Sequence, residues 1–332
     1  VIRPFTLHDL RLLGQLQKDH VVLYPIEALT RPQSPLWAAL TSLLPFGEGQ
    51  SLTFVLQEPR REGGQRQGFI QARQPDSQPI VYIQHLMPRL DGNEDTHTVW
   101  NHLVNHTVTA AGERGLLRVF ASAAQDSAEK AALSAAGFSV YTREDVFRLD
   151  PGAHPQAPAS VGIRPEQSTD RWDISQLYYQ ITPRLVQQAE SPVENKTTEW
   201  PSGPLGWDQG EGFILEDRSG MAGYGYLMSG RVGHWLSILI HSRAYDRVAD
   251  LLDYGLALLS YYPAYPVYCG VREYQGGVRV PLEERGFELV QTQCHLVRYT
   301  LARVKEAARS LVPALEKRVE APTTTVSPTE RS

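Results

Sequence analysis

The sequence predicts an α+β protein with a mixed sheet, built twice over in one chain. Three observations predict it. Ile2-Arg3-Pro4 opens a strand-then-helix pattern that returns at Ile163-Arg164-Pro165, an offset of 161 from position 2 to position 163. A Gly-Phe pair closes a short helical pattern at Gly137-Phe138 and again at Gly286-Phe287, an offset of 149 from 137 to 286. Between the two patterns lies a stretch rich in Pro, Ala, Gly and Ser that suits a linker with no core of its own. Self-similarity at one long spacing marks a duplicated unit, and unequal offsets are what loop insertions leave behind. The expected division is therefore 1–150 for an N-terminal unit, 151–160 for the linker and 161–300 for a C-terminal unit. A helix over 301–320 and a tail over 321–332 without fixed structure complete it.

Each element follows from local pattern. Leucines at 10, 12, 13 and 16 predict an amphipathic helix over 8–17, and 35–44 suggests a second. Short β-rich runs at 52–57, 68–73 and 80–87, parted by Gly, Pro and charged turns, read as an antiparallel meander. Val99, Trp100, Leu103, Val104, Val108 and Ala111 share one face of a helix over 96–111. A buried strand at 116–121, a helix over 127–136 stopped by Gly137, and closing strand material over 138–149 finish the first unit. The second unit repeats the order. It has helix over 172–188, strands at 212–216, 222–228 and 234–240, helix over 245–260, strand at 267–271, a short helix near 280–285 and a last strand over 287–300. Beyond it, Val304, Ala308, Leu311, Leu315 and Val319 form one stripe of a further helix, expected to pack within the molecule.

Composition narrows the partners. A formal net charge of -5 leaves no basic field to gather phosphate backbones, so nucleic acid is not expected. Cys269 and Cys294 stand in no metal-ligand pattern and read as small buried hydrophobes. The most apolar uncharged run, 255–271, is short and broken by Pro263 and Pro266, so a core segment is expected there and no membrane span. Val1, Arg3 and Asp9 at the start do not form the basic and apolar regions of a secretory leader, which makes the cytoplasm the expected compartment. His102 and His106 stand four apart on the long helix without a readable third ligand, so no metal is expected.

The order of strand, loop, long helix, strand and short helix ending in Gly-Phe resembles the GNAT N-acyltransferase superfamily in both halves. The residues that carry the resemblance are Leu86-Met87-Pro88 before the first loop and the runs Leu133 to Phe138 and Leu282 to Phe287, each ending in Gly-Phe. It implies a tandem GNAT-like fold, an acyl-CoA co-substrate such as acetyl-CoA, and transfer of its acyl group to an amine. The acceptor would be a small-molecule amine of unspecified identity. In that family a Gly-rich loop at the start of the long helix presents backbone N–H groups and the helix dipole to the cofactor's phosphates.

Neither half keeps those glycines. The first has Arg89, Leu90, Asp91, Gly92, Asn93, Glu94 and Asp95 there, and its acids satisfy the dipole themselves and repel an anion. The second has Arg243 and Arg247, whose guanidinium groups can replace backbone donors or pair with Asp246 and Asp250. The resemblance therefore implies a cofactor seat at Leu239, Arg243, Tyr245, Arg247 and Val248, with the first half structural. The family's acid tyrosine is replaced by Leu133 and Leu282. Tyr268 and Tyr274 are the nearby substitutes. Candidate bases are His241, Glu211 and His85, with Glu216 beside them, histidine having a pKa suited to the task. Trp200 and Trp207 either line an acceptor pocket or cover the seam between halves. Against the acyltransferase reading stands an alternative, a non-catalytic binding protein that keeps the fold and its V-shaped cleft.

Overall fold

The computed structural model describes residues 1–41, 51–59, 64–75, 78–152, 162–190 and 210–300. The expected C-terminal helix and tail, nearly all of the linker and the loop with Trp200 and Trp207 lie outside these residues. The Ile-Arg-Pro repeat proves to be a built device in both halves. Arg3 reaches Asp9 with both terminal nitrogens, at 2.6 and 2.5 Å, and Arg164 reaches Asp170 at 2.7 and 2.8 Å. Each aspartate is buried and also accepts a backbone N–H, from Thr6 or Gln167, which closes the turn into the first helix. A buried carboxylate needs such a set of donors to offset lost hydration.

The first half runs β1 (Ile2–Pro4), α1 (Leu10–Leu16), β2 (Val21–Val22), α2 (Pro25–Thr30), α3 (Pro35–Thr41), β3 (Ser51–Pro59), β4 (Gln65–Arg73) and β5 (Ile80–Met87). It continues with α4 (Glu94–Glu113), β6 (Arg118–Ala124), α5 (Ala128–Ala135) and β7 (Ser139–Leu149). The second half runs β8 (Ile163–Pro165), α6 (Arg171–Ile181), α7 (Arg184–Glu190), β9 (Gly210–Asp217), β10 (Gly220–Ser229) and β11 (His234–Ile240). Then come α8 (Val248–Leu258), β12 (Val267–Arg272), α9 (Arg279–Glu284) and β13 (Glu288–Tyr299). The short helices α5 and α9 end alike. Gly137 and Gly286 both take φ of +83°, so Phe138 and Phe287 return their N–H groups to Leu133 and Leu282, 3.1 Å away in each case. Both leucines are wholly buried under that turn.

The strands make one mixed sheet in the order β1-β3-β4-β5-β6-β13-β7-β12-β11-β10-β9-β8, with β2 set beside β5. The middle of that order is the informative part. The last strand of the second half, β13, lies between β6 and β7 of the first, and β7 lies between β13 and β12 of the second. Each half thus completes the other's sheet. Glu144 pairs with Gln293 at the centre, and these positions are separated by the same 149 residues as the Gly-Phe pairs, from 144 to 293. The pseudo-twofold axis of the duplication passes between them.

Helices α4, α5, α8 and α9 cover one face, where Val99, Trp100, Leu103 and Leu133 fill one core and Leu251, Leu252, Leu256 and Leu282 the other. On the opposite face α1 and α3 cover the first half, and α6 covers the second. The remaining two helices cross over. Tyr24, Ile26 and Leu29, at and within α2, pack on Met228 and Trp235 of the second half, and Arg31 donates to the Ser229 carbonyl at 2.6 Å. In return, Ala189 of α7 packs on Ile80, Phe120 and Val297, and Arg118 donates to the α7 carbonyl of Gln188 at 3.2 Å. Among the described residues no helix is long and apolar enough to cross a membrane.

Candidate functional site

Each half contains a pair of parallel strands that separate. In the first, β5 and β6 pair from Ile80↔Arg118 to Tyr82↔Phe120 and then diverge. In the second, β11 and β12 pair from His234↔Val267 to Leu236↔Cys269 and then diverge. Such a split leaves backbone N–H and C=O groups without sheet partners, and something must meet them. In the first half the chain itself does so. Strand β2 pairs Val21 with Leu86 and Val22 with His85, the Leu23 N–H donates to the Gln84 carbonyl at 2.8 Å, and the Leu23 carbonyl accepts the Ser122 N–H at 2.9 Å. Main chain therefore fills this cleft.

The second cleft is spanned differently. The Gln275 side chain donates Nε2–H to the Ile238 carbonyl at 2.8 Å, and its Oε1 accepts the Arg272 N–H at 3.0 Å. A side-chain amide there links the two separating strands, as the main chain of Leu23 does in the other half.

The two helix starts differ as well. At α4, Asn93 caps the helix by accepting the Asp95 N–H at 3.0 Å, and Asp91 accepts from the Asn93 N–H and the Thr96 hydroxyl. These bonds, the Asn93 N–H foremost, hold the Asp91 carboxyl below its usual range. The end of the helix is thus closed by its own acceptors. Before α8 the chain makes a 3-10 turn over Ser242–Arg247, with His241 as its cap through Nδ1, 3.2 Å from the Arg243 N–H. Arg243 bonds Asp217 at 2.8 Å and the Met221 carbonyl at 3.0 Å, while Arg247 pairs with Asp250. Tyr245 packs its ring on Gly277, where any Cβ would collide with it. Val248 and Leu239 are wholly buried, Leu239 on the face covered by α6 and Val248 in the opposite core.

The three candidate bases stand apart. His241 is the cap just described. Glu211, exposed on β9, accepts from the Tyr262 hydroxyl. His85 lies in the other half on β5, 1% exposed, with both ring nitrogens lacking hydrogen-bond partners and the His20 ring 6.0 Å away. Burial, with a smaller push from His20, lowers its pKa to about 4.

A second polar group, which the sequence reading passed over, lies at the middle of the sheet beside the pseudo-twofold axis. Ser122 on β6, His295 on β13, Glu144 on β7 and Arg272 on β12 follow one another across four neighbouring strands. Gln293 donates to Glu144 from the axis, and Glu190 at the end of α7 takes the other side of Arg272 at 3.3 Å and the Tyr178 hydroxyl at 2.9 Å. Burial alone would raise the Glu144 carboxyl; Arg272 and His295 outweigh it and hold it well below the usual carboxylate range. Burial, then Arg272, lowers the His295 imidazole against the pull of Glu144. No local motif marks this group, because its members come from both halves and meet only through the exchanged strands. The single readable signal is the 149-residue spacing that links Glu144 to Gln293.

No family model and no curated protein matches the chain. Among solved structures, a tandem GNAT protein from the clavulanic acid biosynthesis pathway is 15% identical, over 90% of this chain and 98% of that one, with a TM-score of 0.49. A GCN5-related N-acetyltransferase from Sphaerobacter thermophilus is 11% identical, over 90% and 95%, with a TM-score of 0.49. Another from Kribbella flavida is 12% identical, over 75% and 89%, with a TM-score of 0.48. Below 0.5 none of these scores carries weight by itself. The connectivity does, since both halves follow the element order that the sequence resemblance implies, and in each a parallel strand pair separates. The described residues thus form two copies of one α+β unit in a shared mixed sheet, with the element order that the GNAT resemblance implies. The halves differ from one another in what fills the split, which is where the functional reading turns.

Proposed function

We propose that the chain is an acyl-CoA-dependent N-acyltransferase with one working half, the C-terminal one. The observation that carries this reading is the contrast between the two splits. The first is occupied by hydrogen-bonded main chain, whereas among the described residues the second is bridged by the side chain of Gln275. A rotation of that side chain returns the Ile238 carbonyl and the Arg272 N–H to use. Together they form an acceptor and donor pair suited to the amide groups of an extended cofactor arm. Arg243 and Arg247 flank the turn into α8 and would exchange Asp217 and Asp250 for phosphate oxygens. Of the candidate bases, His241 and Glu211 belong to this half. The acceptor is an amine, and nothing in the site selects one amine over another.

A second reading, a binding protein without acyl chemistry, is favoured by the same ion pairs, which already satisfy both arginines, and by Leu282, which is buried and has no proton to give. Calorimetric titration of the full chain with acetyl-CoA separates the two. The acyltransferase reading predicts binding that weakens at least about tenfold when Arg243 and Arg247 are both replaced by alanine, and that Arg89→Ala leaves unchanged. Gln275→Ala should tighten it by removing the competing amide. Absence of heat or thermal stabilisation at millimolar acetyl-CoA would leave the binding-protein reading standing.

A further inference from the structure

We propose that Ser122, His295 and Glu144 form a nucleophilic relay at the centre of the sheet, in which Ser122 accepts the acyl group of a small activated ester or thioester. Ser122 Oγ lies 2.9 Å from His295 Nδ1, and His295 Nε2 lies 3.2 Å from Glu144 Oε2. Hydroxyl, imidazole and carboxylate in that order are the arrangement that turns a serine into a nucleophile, whichever ring nitrogen faces the hydroxyl. With the Nε2 proton directed at Glu144, Nδ1 is the nitrogen that accepts the serine proton. Glu144 is fixed in turn, by the Gln293 amide on the same oxygen and by Arg272 Nε at 3.1 Å on the other.

The site has the surroundings that such chemistry needs. Ser122 itself is buried at 5% exposure, while next to it the side chains of His295 and Arg272 on the central strands, and of Glu190 at the end of α7, keep 12%, 21% and 19% exposure, so a small reagent reaches Ser122 past the His295 edge of the relay. Tyr82 stacks on Phe120 at 5.1 Å, and Tyr141 meets Phe120 edge-on at 5.9 Å, which gives that approach a flat apolar wall for an acyl or aryl group. Arg272 Nη1 and Gln293 Oε1, both on residues that contact Glu144, are buried without hydrogen-bond partners. Buried polar atoms of this kind need a partner, which a water or a polar ligand can supply. Burial and Arg272 keep the imidazole neutral, the form in which it can take a proton.

The step balances without any further reactant than water. Ser122 Oγ bonds to the acyl carbon as its proton passes to His295 Nδ1; the C–O or C–S bond then breaks, and the leaving group departs with that proton. Water repeats the sequence on the acyl-serine, which frees the acid and restores the hydroxyl. Nothing in this depends on the acyl-CoA seat, since neither Gln275 nor Arg243 takes part.

The test uses the full chain and p-nitrophenyl acetate, with peptide mapping by mass spectrometry. One acetyl group should appear on the peptide containing Ser122, and Ser122→Ala should abolish it while leaving the circular dichroism unchanged. His295→Gln should slow the labelling on the order of a hundredfold, and Ser122→Cys should still take up acetyl. The proposal is overturned if the unmodified chain acetylates only at other residues or not at all. It is equally overturned if His295→Gln labels Ser122 at the original rate.

Discussion

Asp9 and Asp170 show at the level of single residues why the repeat could be read. A strand entering a helix must close its turn. A buried aspartate held by an arginine six positions earlier does this in both halves, so the arginine of Ile-Arg-Pro recurs with its partner. Hydrogen bonds to the charged arginine, first among the causes, lower both carboxyl pKa values against the effect of burial. Asp170→Ala should therefore cost about 2 kcal/mol in urea unfolding. The contribution of each aspartate is complete above its unfolded pKa of about 3.9 and lost as pH falls through the lower folded value. His85 acts in a higher window. Its folded pKa of about 4 lies below the ordinary 6.5, so the unfolded chain binds an extra proton between these values and stability falls as pH drops from 6.5 to 4. The loss should be about 3 kcal/mol, and His85→Phe should flatten that part of a urea-midpoint profile against pH. The sequence could nominate His85 as a titrating group. It could not show that burial removes the charged form.

Among the elements, the long and periodic ones were legible: β5 spans the expected 80–87, and α4 contains the expected 96–111. The elements that decide function were not. Strand β2 has two residues, too few to show alternation, and α2 has six, fewer than two helical turns, so the segment between Gln17 and Pro35 offered no period to find. The start of α8 also moved. The periodic face suggested residue 245, but Ala244 leaves helical geometry at φ −120° and regular helix begins at Val248, because the 3-10 turn capped by His241 comes first. Charge sets the two helix starts apart in the sequence, whereas among the described residues the halves differ in whether main chain or a side chain bridges the split. Leu23 is 1% exposed and supplies that main chain. Leu23→Ala should cost about 3 kcal/mol by leaving a cavity, measured by chemical denaturation. The lost side chain leaves the backbone hydrogen bonds to Gln84 and Ser122 in place, so the variant should not gain acetyl-CoA binding at the first half.

Over the whole molecule, duplication was visible in the sequence but exchange was not, since nothing in either half says which copy of the last strand it will pair with. Because β13 sits between β6 and β7, the two halves share one folding unit. A fragment ending at residue 152 should fail to give a cooperative calorimetric transition alone and should regain one when mixed with residues 162–332. At the axis, the duplicated positions have become Glu144 and Gln293, a charge and an amide that can bond; Gln293→Glu would set two carboxylates against each other. That shared sheet also places the two splits on either side of the central pair β13 and β7 under different rules, one filled by chain and one spanned by a side chain. Hydrogen exchange with and without acetyl-CoA, read by mass spectrometry, tests this difference most directly. Protection should appear over 234–250 and 267–278 and leave 80–96 unchanged. Protection over 80–96, or none in either half, would contradict a single C-terminal seat.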